Sequence, residues 1–123
     1  MTRTRELVPA PVRAALEQVF GEPVDDVELV EHSWYARLHR GARATTRRNR
    51  ILLPGSVAEF LADPDLVLHE YYHVLRQWNR GRLSLPRYLG EWLRRGYLGS
   101  RYEREARRYA RTRLARYLRL ARN

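Results

Sequence analysis

The hydrophobic positions change period along the chain, and the changes mark its elements. Pro9-Ala10-Pro11 opens a first helix with Val12, Ala15, Leu16, Val19 and Phe20 on one face, and Gly21 is placed to stop it. Val24 to Val30 reads as a strand, Trp34 to Leu38 as a second, and Thr45 to Leu53 as a third that ends before the turn residues Pro54-Gly55. Asp63-Pro64 is a helix start, a capping carboxylate followed by proline in the first turn, and the helix is expected to run to Arg80, with Gly81 as its stop. Leu66, Val67, Leu68, Tyr71, Tyr72, Val74, Leu75 and Trp78 surround this helix with apolar side chains, which predicts that it is buried. A short helix over Arg87–Arg95 follows, with Tyr88, Leu89, Trp92 and Leu93 facing inward, and Gly96 and Gly99 are expected to break the chain. A last helix runs from Ser100, its cap, to Ala121. The succession predicts an α+β fold: a small mixed or antiparallel sheet packed on the buried helix, with further helices after it, in a single domain over residues 1–123.

Composition narrows the chemistry. There is no cysteine, so disulfides and thiolate metal sites are excluded, and any metal must be held by histidine and carboxylate. No apolar run reaches membrane-spanning length, and residues 1–6 lack the apolar stretch of a signal peptide, so the expected compartment is the cytoplasm, with export by a route that needs no signal peptide as the alternative. The formal charge is +10, and all 24 basic residues are arginine. Such a charge attracts nucleic acid, but phosphate binding gives no reason to exclude lysine, so nucleic-acid contact is expected to be incidental.

The buried helix carries His69-Glu70-Tyr71-Tyr72-His73, an H-E-x-x-H motif. Residues four apart lie one turn apart on the same side of a helix, so both imidazoles can converge on one tetrahedral ion. Glu70 projects beside that ion, where a carboxylate can take the proton of a zinc-activated water. The alternative is a pair of histidines satisfied by hydrogen bonds within a core helix.

A catalytic zinc usually takes three protein ligands. No histidine follows His73, so the third is expected among Glu91, Glu103 and Glu105. Ala106, Tyr109, Ala110, Leu114, Tyr117 and Ala121 form one face of the last helix, and Glu103 falls within it, whereas Glu105 points to the flank. A carboxylate on an apolar face needs a partner, either a metal or an arginine. Glu103 is therefore the expected ligand. Glu105 is second, with the further option of orienting a metal-bound imidazole, and Glu91 is third. His32 and His39 have no partner at ligand spacing.

Leu66-Val67-Leu68-His69-Glu70-Tyr71-Tyr72-His73-Val74-Leu75-Arg76-Gln77 resembles the L-x-x-H-E-x-x-H-V-x-x-Q helix of the metallopeptidase domain of extracellular contractile injection system cores. Ala44-Thr45-Thr46-Arg47-Arg48-Asn49-Arg50-Ile51 is similar to that family's A-x-T-x-G-N-x-I segment, with Arg48 in place of the glycine. Arg87-Tyr88-Leu89-Gly90-Glu91-Trp92-Leu93 and Tyr102-Glu103-Arg104-Glu105-Ala106 resemble segments of small relatives, so the likeness spans about residues 12 to 107. More broadly the chain resembles the gluzincins, whose third ligand is a glutamate on a later helix, in several families three residues before an alanine; here that position is Glu103. The resemblance implies a zincin-like minimal fold and an edge strand near Arg50–Leu53 that pairs with an extended peptide.

These readings lead to a zinc-dependent metallopeptidase acting on a peptide or protein substrate, with His69, His73 and Glu103 on the metal and Glu70 as general base. Tyr97, Tyr102 and Tyr109 are oxyanion candidates by position alone. The competing readings are a nucleic-acid-binding module built on the arginine-rich last helix, and an interaction domain that keeps zinc without turnover.

Overall fold

The computed structural model describes residues 2–34, 36 and 44–122. Strand β1 (Thr2–Arg3) leads into a one-turn helix α1 (Thr4–Leu7), then α2 (Ala10–Phe20). Gly21 ends α2 in the left-handed region at φ +71°, where its N–H reaches the carbonyl of Glu17 at 2.8 Å. Ala15, Leu16, Val19 and Phe20 are buried.

The expected strand over Val24–Val30 shortens to β2 (Glu28–Val30). Asp25-Asp26 makes a turn instead, closed by the Val27 N–H on the carbonyl of Val24 at 3.1 Å. The strand expected over Trp34–Leu38 falls mostly outside the described residues; Trp34 and Ala36, which are described, are helical. The third expected strand is a hairpin of β3 (Thr45–Arg47) and β4 (Arg50–Leu52). Its turn depends on Asn49, which adopts φ +54°, a conformation that asparagine tolerates better than most residues. The sheet order is β1-β2-β4-β3, with β2 and β4 parallel and the other two pairs antiparallel. Arg50–Leu52 is therefore interior, and the expectation of an edge strand there is corrected: β3 is the outer strand on that side.

Ser56-x-x-Glu59 nucleates a helix absent from the sequence reading, α3 (Val57–Leu61). The Ser56 hydroxyl accepts from the Glu59 N–H, and the Glu59 carboxylate accepts from the Ser56 N–H, both at 3.1 Å. Helix α4 (Pro64–Tyr72) starts at Asp63, whose carboxylate accepts from the Leu66 N–H at 3.3 Å. It continues as a π-helical segment over His73–Trp78, in which the Asn79 N–H reaches back five residues to the carbonyl of Val74 at 2.8 Å. The expected burial holds: Val67, Leu68, Tyr71 and Val74 are fully enclosed. The Tyr71 and Thr4 hydroxyls share a hydrogen bond of 2.8 Å, which ties α1 to α4.

Helix α5 (Leu85–Gly99) is longer than expected, and Gly96 lies inside it without breaking it. Its inward face also differs. Leu89 and Leu93 are 54% and 77% exposed, while Glu91 is buried. The Glu91 carboxylate accepts the Arg101 N–H at 3.2 Å, and so occupies the positive N-terminal end of the next helix. Positions two residues away on either side are rotated by about 200° and so face outward. The side chains of Tyr88 and Trp92 lie outside the described residues.

Helix α6 (Arg101–Ala121) begins at Ser100, whose hydroxyl accepts from the Tyr102 N–H at 3.2 Å. It lies along α4 and α2, burying Ala106, Ala110 and Tyr117. One apolar cluster joins the sheet to α2, α4 and α6, and a smaller one gathers Trp78, Leu83 and Tyr102. Among the described residues, no helix is long and apolar enough to cross a membrane.

Candidate metal centre

His69 sits on the last full turn of α4, and His73 opens the π segment. Their rings stand at 77° with centroids 4.8 Å apart, and the two Nε2 atoms come within 3.2 Å of each other. Glu103, in the first turn of α6, meets them from the opposite helix. Its Oε1 lies 3.0 Å from His69 Nε2, and its Oε2 lies 3.1 Å from His73 Nε2. Ala106 and Ala110, small residues on α6, are fully buried where that helix lies along α4 and α2.

The three residues form the one cluster of histidine and acidic groups, among the described residues, that could hold a metal ion. A tetrahedral zinc with ligand distances of about 2.0–2.1 Å places its ligand atoms about 3.3 Å apart. One ligand atom from each of the three residues lies within 4.8 Å of the other two, a span that one ion can bridge. The donor set itself calls for a cation, since carboxylate and imidazole lone pairs converge in a site almost closed to solvent. Glu70 is buried beside them, with Oε1 3.8 Å from His69 Nε2.

Protons answer part of that demand when no metal does. Burial disfavours the imidazolium of His73. The hydrogen bond and charge of Glu103, the charge of Glu70 and the hydrogen bond with Gln77 outweigh it and raise the ring's pKa to about 9. Burial likewise opposes the Glu103 carboxylate, but its hydrogen bonds to His69 and His73, together with their charges, hold it well below the usual carboxylate range.

The other expected participants lie elsewhere. Glu105 accepts from both Arg82 and Gln77, so it is outside the cluster and touches an amide, not an imidazole. Glu91 caps α6 and pairs with Arg95. The Tyr102 hydroxyl receives the Arg101 guanidinium at 3.1 Å, and the Tyr109 hydroxyl donates to the carbonyl of Val19 at 3.3 Å. Both candidate oxyanion hydroxyls are thus engaged away from the two histidines, and the side chain of Tyr97 is outside the described residues. His32 occupies a turn at φ +53°, its N–H on the carbonyl of Gly55, and takes no part in the cluster; His39 lies outside the described residues.

Sequence reasoning gave Gln77 no role. It is fully buried, and its Oε1 lies 2.6 Å from His73 Nδ1. The available signal was an amide four residues past the second histidine, inside an otherwise apolar stretch.

A mixed α+β fold with a buried His/His/Glu cluster defines a domain equipped to bind a metal. Residues 7–81 match the family model of the eCIS core domain, and the chain belongs to that family. The matched segment contains His69, Glu70, His73 and Gln77, while Glu103 lies beyond it. No curated protein and no solved structure gives a match.

Proposed function

We propose that the chain is a zinc-dependent peptide hydrolase of the zincin type, with His69, His73 and Glu103 as metal ligands and Glu70 as general base. The observation that carries this reading is the convergence of two Nε2 atoms and a carboxylate within 3.0–3.2 Å, with a second carboxylate alongside. When bound, zinc would supply a Lewis acid for a carbonyl and lower the pKa of an attacking water. Glu70 would take that water's proton and pass it to the leaving amine. Glu103 holds the imidazoles against each other while its own charge offsets the cation. The outer strand β3 offers the edge along which an extended peptide pairs.

Metal content is the test. Protein purified without a histidine tag or chelator should carry near one zinc per chain, lost in Glu103→Ala and kept in Glu105→Ala. A mixed peptide library should then be cut by the wild type and spared by Glu70→Gln, which keeps its zinc. A wild type that neither contains nor takes up zinc would sink the proposal.

A second reading has its own observation: Arg101, Arg104, Arg107, Arg108 and Arg111 line one shallow surface of α6. Of the tyrosines on α6, Tyr102 and Tyr117 are buried and so do not offer bases a stacking face. The surface therefore fits diffuse attraction to polyanions.

A further inference from the structure

The Gln77 amide can be oriented from its partners alone. One end faces two acceptors, the carbonyl of Tyr102 at 3.0 Å and Glu105 Oε1 at 3.1 Å. A carbonyl has no proton to give, and both oxygens of Glu105 accept from the Arg82 guanidinium, at 3.0 and 2.9 Å. That end must be the NH₂ group, and its two hydrogens are then both used. The carbonyl end is left facing His73 Nδ1 at 2.6 Å, and a carbonyl can only accept. His73 must therefore carry a proton on Nδ1. Its Nε2 is the nitrogen turned toward His69 and the Glu103 carboxylate, where a metal would displace the proton that carboxylate otherwise accepts.

We infer that Gln77 is a positioning residue: anchored by Glu105, Arg82 and the Tyr102 carbonyl, it fixes the His73 tautomer that offers the Nε2 lone pair to the metal. The inference deepens the zinc reading and rests on it. Gln77 does this without adding charge, which distinguishes it from a carboxylate in the same place. A buried glutamine that merely fills space would not need three partners on its two ends. The π-helical segment from His73 to Trp78 carries both residues and sets the distance between them.

The test begins with the zinc-loaded wild type, labelled with ¹⁵N-histidine, and reads which nitrogen of the His73 ring carries the proton. The expected spectrum shows the proton on Nδ1; a proton on Nε2 overturns the inference. Zinc affinity is then measured by competition with a chromophoric chelator. Gln77→Leu should weaken it by about 10- to 100-fold, the range for groups that orient a metal-bound histidine. The exchange Gln77→Glu with Glu105→Gln keeps an acceptor toward His73 and a donor at residue 105, though it loses the hydrogen bond to the Tyr102 carbonyl, and should bind zinc at least about threefold more tightly than Gln77→Leu. Unchanged affinity in Gln77→Leu, or an exchange as weak as Gln77→Leu, would overturn the role. Should Gln77→Leu not fold, the wild-type tautomer and the exchange decide. A wild type that binds no zinc defeats the metallopeptidase reading, whereas normal wild-type binding with an indifferent Gln77 defeats this inference alone.

Discussion

The proton on His73 Nε2 and a metal ion compete for the same lone pair. In the metal-free protein the ring's pKa is raised from 6.5 to about 9, so its contribution to stability is fully present below about pH 6.5 and is lost as pH rises through about 9. Glu103 is shifted the other way: its contribution is present above about pH 4.5 and is lost in acid, as pH falls through its depressed folded value. Metal-free protein should therefore be most stable between about pH 4.5 and 6.5 and lose stability, on the order of a few kcal/mol, by pH 10. Urea titrations across that range check this, and a flat profile would contradict it. Zinc must displace the Nε2 proton, so its affinity should climb with pH until about 9. The grouping of His69, His73 and Glu103 was legible because helical spacing alone puts two residues on one turn and Glu103 on an apolar face. The roles of Glu105 and Glu91 were not legible. Each is decided by a donor from a distant element, Gln77 and Arg82 for one and the Arg101 N–H for the other.

At the scale of elements, Ala110 permits α6 to lie against α4, and a larger side chain there has nowhere to go. Ala110→Leu should lower stability by about 1–3 kcal/mol. It should also weaken zinc binding by moving Glu103 away from the two histidines, whereas Ala110→Ser should do neither strongly. Thermal melts and the chelator competition read the two effects separately. Helices with sharp punctuation, α2, α4 and α6, could be read from Gly21, Asp63-Pro64 and Ser100. The hairpin could not be read as such, because Thr45–Leu53 is one unbroken polar-to-apolar run whose reversal rests on a single asparagine. The face of α5 was misjudged for a related reason. Apolar spacing favoured Leu89 and Leu93, but the need of α6 for an anion at its N-terminus turned Glu91 inward instead.

At the scale of the molecule, the net charge of +10 comes from 24 arginines, of which eight lie on α6 and all of those but Arg107 are exposed. Binding to single-stranded DNA should be weak, indifferent to sequence and lost steeply between 50 mM and 200 mM salt. Glu70→Gln should leave it unchanged, and fluorescence anisotropy at several salt concentrations measures it; tight, salt-resistant binding would favour the second reading. The two helices that hold the cluster also impose an order of events. His69 and His73 are synthesised before Glu103, and Glu103 is brought into place only when α6 docks through Ala106, Ala110 and Tyr117. A growing chain that has reached only residue 81 contains Glu70 and two of the three residues of the cluster but not Glu103. On the metallopeptidase reading, hydrolytic capacity would then arise only once α6 has docked, and not when the H-E-x-x-H helix first folds.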